Sequence, residues 1–255
     1  MADFESKPLV AELSNVTLAA TSAHRRTAVT GLNWRISEGD FWVVTTTQHA
    51  GQQELLFTAT GLQKPEAGRV TILGRDTSDL GQTRWFEERL GIGVVFEQGG
   101  RVLGSMTVAE NVSLPLRYHR DSYLEELQSE IVPILEATEL LPYAARTPCG
   151  MSAGWQHRVA LARALALRPR LVFLERPLAH IEWQHKAWWL SFIPRLASGE
   201  VFPERVPVTL VVVTDDARPW VGLARQFAVL RRDEWRVLDG APDLDPAGWL
   251  ESPTE

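Results

Sequence analysis

A chain that handles phosphate esters needs backbone amides around the anion, a cation to neutralise it and a hydroxyl for a bound magnesium ion. The pattern G-x-x-x-x-G-K-[ST] between a strand and a helix supplies all three. Near residue 50 the passage Thr46-Thr47-Gln48-His49-Ala50-Gly51-Gln52-Gln53 stands in that register. Gly51 is retained, but Gln52 stands where the lysine belongs and Gln53 where the hydroxyl belongs. An amide brings a hydrogen bond without charge, and charge-assisted bonds are roughly twice as strong. Gln53 offers magnesium only a carbonyl oxygen on a longer arm. Glu54 adds an anion at the start of the helix. Taken alone, this stretch is an ordinary strand–helix turn. A second candidate is Ser152, placed to cap a helix whose N-terminus could face a phosphate. The six histidines show no metal-ligand spacing, so no metal site is expected.

These groups need a scaffold to bring them together. Residues 9–18 read as an edge strand, and a second apolar stretch ends at Ile36 before the turn Ser37-Glu38-Gly39-Asp40. Residues 41–44 form a short buried strand, and 52–61 an apolar-periodic helix. Strands follow at 69–73 and 93–96. Residues 106–167 look helical throughout, with 124–140 clearly amphipathic, and strands return at 171–174 and 209–213. Strand–helix alternation implies an α/β fold: a parallel sheet flanked by helices, antiparallel strands at the N-terminus and an inserted α-helical subdomain. One domain is expected, with a core of about 9–97 and 169–238, a helical subdomain of about 98–168 and a tail from about 239 to 255.

Composition narrows the partners. The chain is 45% hydrophobic and 23% charged with a formal net charge of −6, and its lysines and arginines are dispersed. A general nucleic-acid binder would need a basic face, so none is expected as a partner. One cysteine, Cys149, excludes an internal disulfide and a cysteine-based zinc site. The N-terminus is polar and acidic rather than a signal peptide. The longest apolar run, about 206–213, is too short to span a bilayer, so no direct membrane insertion is expected.

A set of segments in order gives these pieces a family likeness. Met151-Ser152-Ala153-Gly154-Trp155-Gln156-His157-Arg158, followed by Val159-Ala160-Leu161-Ala162-Arg163-Ala164-Leu165, resembles the L-S-G-G-Q signature and helix of ABC transporter ATP-binding subunits. Leu171-Val172-Phe173-Leu174-Glu175-Arg176-Pro177 resembles the Walker B strand. Residues 209–214 with Asp215-Asp216 resemble the strand and switch, and Gly93-Val94-Val95-Phe96-Glu97-Gln98 the Q-loop. The resemblance covers roughly residues 9–238. Within the family, Gly99-Gly100-Arg101-Val102-Leu103, Met106-Thr107-Val108-Ala109-Glu110-Asn111-Val112 and Leu114-Pro115-Leu116-Arg117-Tyr118-His119 are similar to the ATPases of MCE-type lipid-transport systems.

The resemblance implies ATP and Mg²⁺ held between the P-loop of one subunit and the signature of a second. It also exposes losses at each station. Glu175 replaces the Walker B aspartate and keeps a carboxylate. Arg176 replaces the catalytic glutamate; arginine stays protonated and cannot activate water as a general base. Structurally, Arg176 is expected to pair with Glu54, Glu175 or Glu182 and replace the missing lysine charge. Asp215 stands in place of the histidine that contacts the γ-phosphate. Either Glu97 or Gln98 takes the Q-loop position. The adenine-stacking aromatic is missing at Ala19 or Ala20, which forgoes about 1–3 kcal/mol by analogy with base–aromatic contacts. Ser152 and Gly154 survive in the signature while Ala153 and Trp155 depart. The signature either caps its helix or completes the intact ATP site of a different subunit.

The expected outcome is weak or lost ATP and Mg²⁺ binding and no hydrolysis. The family also implies docking on a transmembrane permease, a cytoplasmic location on the inner membrane face, and a second ABC subunit, identical or different. Two alternatives stand beside it: a working ATPase with atypical motifs, and a soluble regulatory protein without a permease.

Overall fold

The computed structural model describes residues 7–18, 29–46, 51–78, 89–97, 102–231 and 234–238. Gln98, Thr47, Gln48, His49 and Ala50, the alanines at 19 and 20 and the tail from Gly240 lie outside them.

Two sheets and a set of helices form the architecture. The smaller sheet is antiparallel, in the order β2 (Leu32–Ser37), β1 (Leu9–Thr17), β4 (Ala67–Ile72), β5 (Arg75–Asp76). The expectation of an edge strand at the start of the chain is therefore corrected. β1 lies inside its sheet, because β2 pairs along one side of it and β4 along the other. Its alternating pattern marks one buried face, and alternation alone does not tell whether one or both edges are paired.

The larger sheet has six strands in the order β10 (Glu234–Leu238), β9 (Gln226–Arg231), β3 (Phe41–Thr46), β8 (Thr209–Thr214), β7 (Leu171–Glu175), β6 (Ile92–Val95). All pairings are parallel except β10 with β9. Every residue of β3 and β8 is buried, as strands covered on both faces require. Phe41, Val43, Val172, Leu174, Leu210 and Val212 face one core; Trp42, Val44, Leu171, Phe173, Val211 and Val213 face the other.

The second core is closed by the small sheet and by α1 (Gln52–Ala59), which buries Leu55, Leu56 and Ala59. The first is closed by α2 (Val108–Arg120), α3 (Gln128–Ala137), α4 (Ala153–Leu165) and α5 (Trp183–Ala197). Trp189 is fully buried there and its neighbour Trp188 only partly, as consecutive helical residues on different faces must be. The stretch expected to be helical from 106 to 167 is broken instead: short 3₁₀ turns occupy Leu124–Leu127 and Leu141–Tyr143, and residues 144–152 contain no helix. Thr107 and Glu110 form a reciprocal capping box that starts α2.

The two sheets are tied at their margins. The Trp235 indole on β10 donates to the Asn33 carbonyl on β2 at 2.9 Å, and its ring lies 5.1 Å from that of Trp34.

Candidate functional site

Parallel strands end in a common row, and ligands of open α/β sheets bind outside those carboxyl ends. The candidate residues gather there. Thr46 ends β3, Glu97 lies two residues beyond β6, Glu175 ends β7 with Arg176 next, and Asp215 follows β8. Gly51 opens α1 with φ 78°, the left-handed conformation that glycine adopts without steric cost.

A continuous chain of polar contacts runs through this row. The Thr46 hydroxyl donates to Gln52 Oε1 at 3.0 Å, and Gln52 Nε2 reaches Glu175 Oε1 at 3.5 Å. Glu175 Oε2 accepts the Glu97 backbone N–H at 3.1 Å. Arg176 Nη1 meets Glu97 Oε1 at 3.1 Å, and its Nη2 meets Asp215 Oδ2 at 2.7 Å. His180 Nε2 lies 3.5 Å from the same Glu97 oxygen. Gln52 is 3% exposed, so its amide is committed to Thr46 and Glu175 rather than to solvent. Gln53 points outward and is exposed.

This corrects the expected pairing of Arg176. Its ion-pair partners are Glu97 and Asp215, not Glu175 or Glu182. The reason is topological: β6, β7 and β8 are adjacent and parallel, so the residues just past their ends flank one another. One guanidinium thereby serves two carboxylates. Burial pushes the Glu175 carboxyl above the usual glutamate value of 4.5; Glu97 adds to the rise, and the Glu97 N–H, Arg176 and the Gln52 amide oppose it.

That shift fixes the sign of a pH effect. A carboxyl raised on folding holds its proton more tightly in the folded chain, so its favourable contribution is lost as pH rises through the folded value. Glu175→Gln removes the charge, and rotation of the Gln52 amide lets Thr46 and the new amide remain bonded. The variant is expected to match the wild type in stability below pH 4.5 and to exceed it as pH rises above that value. Urea melts of both proteins across that range measure the difference.

The signature helix is arranged differently from expectation. Ser152 occupies the N-cap position of α4, but its side chain makes no capping hydrogen bond. The Glu182 carboxyl, at the N-cap of α5, is held below the usual range, chiefly by its own backbone N–H, with smaller contributions from the nearby Ser152 hydroxyl, His185 and the Gly154 N–H. Gly154 has no room for a side chain, since a Cβ there would overlap the His185 ring. Trp155 is packed between Tyr143, at 4.7 Å, and His185, at 5.0 Å, with the Arg158 guanidinium 4.5 Å over its ring. Its bulk thus fastens α4 to α5. Sequence reasoning missed His157, which is 1% exposed and held by the Pro177 carbonyl at 3.3 Å. A carbonyl only accepts, so Nδ1 carries the proton, and burial depresses the ring's pKa. A histidine at the fifth position of the helix, on an otherwise apolar face, was the available signal.

Among the described residues no cluster of histidine, cysteine and carboxylate side chains could hold a metal ion, and no helix is long and apolar enough to cross a membrane. Gln52 and Gln53 carry no positive charge to offer a phosphate, and Glu175 ends β7 with a carboxylate engaged by Gln52 and the Glu97 N–H.

A sequence profile of the family described as ABC transporter matches residues 29–179. The spermidine/putrescine import ATP-binding protein of Chromobacterium violaceum is 29% identical over 218 residues, covering 86% of this chain and 57% of that protein. The sulfate/thiosulfate import ATP-binding protein of Mycobacterium tuberculosis is 30% identical over 195 residues, covering 76% and 52%. The chain thus spans little more than half the length of these curated relatives. The dimeric structure of MJ0796, a bacterial ABC transporter cassette, superposes with a TM-score of 0.77 at 27% identity, covering 90% of this chain and 98% of that one.

Proposed function

The chain belongs to the ABC transporter family, and from that premise we propose that it is a nucleotide-binding-type subunit that docks on a membrane permease without hydrolysing ATP. One observation carries this reading. Arg176 stands where the family places its water-activating carboxylate, and it is spent on Glu97 and Asp215. A guanidinium cannot accept the proton of an attacking water. Gln52, in the lysine position, is likewise committed within the protein.

The rest of the proposal follows the family layout. The chain forms one domain, with a core of about 9–97 and 169–238 and a helical subdomain of about 98–168. Docking uses the cleft near residues 98–106 and places the subunit on the inner face of the membrane. Asn111 supports that segment: fully buried, it accepts from the Leu103 N–H at 2.9 Å and donates to the carbonyls of Leu103, Met106 and Thr107. Leu103 is left half-exposed on the same loop. The series from Gly99 to His119 supports a lipid or other hydrophobic cargo of MCE-type systems. A second ABC subunit, either a copy of this chain or one with an intact G-K-[ST], completes the assembly, as the dimeric MJ0796 cassette illustrates.

Titration with Mg-ATP, followed through tryptophan fluorescence, tests the nucleotide half of the proposal. No saturation is expected up to about 1 mM, a binding free energy of roughly −4 kcal/mol. Tight, Mg²⁺-dependent binding with turnover would establish the working ATPase instead. Co-expression with a candidate permease tests docking, and a clean monomer with no membrane partner would favour the soluble regulator.

A further inference from the structure

β6, β7 and β8 lie side by side and parallel, so the residues after their carboxyl ends are neighbours in space although far apart along the chain. Arg176 occupies the middle of that row. Its guanidinium bonds Glu97 past one flanking strand and Asp215 past the other. Its backbone is held as well: its N–H donates to the Val213 carbonyl at 2.8 Å, and its carbonyl accepts from the Ala179 N–H at 2.9 Å. It has φ 41°, a left-handed conformation that a long side chain keeps only where its surroundings over-determine it. The arginine side chain is 13% exposed, and Glu97 is 20% exposed. An ion pair so shielded is screened much less by salt than a surface pair.

From this geometry we infer that Arg176 is a positioning residue: an internal strap that fixes the three strand-end loops relative to one another without nucleotide. The inference rests on the reading that this site has given up ATP chemistry. In the family these stations meet through a bound nucleotide and its magnesium ion; here a guanidinium spans two of them from the third. The loops therefore keep one arrangement whether or not Mg-ATP is present, and the subunit presents a constant face to its partners.

The chain carries its own reporters. The Glu97 amide is bonded to Glu175 Oε2, the Arg176 amide to Val213, and the Asp216 amide to the Thr214 hydroxyl at 3.2 Å. Amide hydrogen exchange is measured on the wild type, Arg176→Gln, Arg176→Lys, Asp215→Asn and the Arg176→Gln/Asp215→Asn double variant, each with and without Mg-ATP. Arg176→Gln is expected to raise exchange about tenfold at all three reporters together. Lysine, which reaches one acceptor at a time, is expected to restore only part of the protection. Asp215→Asn is expected to raise exchange at Glu97 on the far side of the strap, and the double variant to exchange no faster than Arg176→Gln. A rise confined to residues 175–180, or additive effects in the double variant, would overturn the strap. Calorimetric binding of Mg-ATP to the wild type with unchanged reporters would instead overturn the functional reading and leave the strap standing. Protection of the wild-type reporters by Mg-ATP would overturn both.

Discussion

Replacing Arg176 by glutamate is expected to destabilise the protein by about 2–4 kcal/mol and to create no ATPase. Removing one member of a buried ion pair costs about 3–5 kcal/mol, because the other charge stays buried without compensation. Two terms act here in opposite senses. Both partners of Arg176 lose their cation at once, and the new carboxylate joins Glu97, Glu175 and Asp215 in one row. Against this, Asp215 is 49% exposed, so solvent screens that half of the network and lowers the figure. Arg176→Met separates the terms, since it removes the cation without adding a charge, and should cost about half as much. Denaturant melts of both variants measure the difference, and added salt should relieve the glutamate variant more than the methionine one. Equal losses in the two variants would show that repulsion contributes nothing. On the proposed reading, the glutamate also returns a carboxylate to the water-activating position. Its failure to support turnover would place the remaining block in the phosphate-binding loop.

The second large effect concerns that loop. Restoring lysine and serine together, as Gln52→Lys/Gln53→Ser, is expected to raise Mg-ATP affinity about tenfold while turnover stays at background. The lysine brings a full charge, but it enters beside Glu175, the present partner of the Gln52 amide, and part of its charge is spent there. The serine replaces an outward-pointing glutamine and restores a hydroxyl for magnesium. Turnover stays absent because Arg176 remains, and the loss of a general base is worth about 10²–10⁴ in rate. Isothermal titration and a phosphate-release assay read the two halves separately. Release of phosphate by this variant would show that Arg176 is no obstacle. Affinity unchanged from the wild type would show that the loop's failure lies elsewhere than in its charge.

Much of the scaffold was legible in advance because its signals are local. The uninterrupted apolar runs of β3, β7 and β8 mark strands buried on both faces, and the periodic helix from Ala153 to Leu165 follows Ser152 where a cap belongs. Motif register points to Thr46, Gln52, Glu175, Arg176 and Asp215 as candidates and leaves Glu97 and Gln98 as alternatives. Their partnerships are not legible there. Glu97 and Arg176 are 79 residues apart, and Arg176 and Asp215 are 39 apart. They meet only through the strand order β6-β7-β8, which no spacing along the chain encodes. Ser152 failed for a similar reason. A helix-capping residue is chosen locally, and Ser152 does occupy the N-cap position, but whether its hydroxyl bonds the first turn depends on side-chain geometry that residue type does not encode. The misplacement of β1 is the same lesson at the level of strands, since alternation reports which face is covered and stays silent about neighbours in the plane.

The indole clasp between Trp235 and Asn33 bears on how this molecule behaves in a crowd. β2 and β10 are the terminal strands of their two sheets, and terminal strands carry unpaired amides and carbonyls that invite a strand from another chain. The clasp sets the two margins against each other. The Asn33 carbonyl on the rim of β2 is already engaged by the Trp235 indole, whose ring lies 5.1 Å from that of Trp34. What looks like a tie between layers therefore also withdraws one acceptor on the rim of β2 from pairing with a strand of another chain.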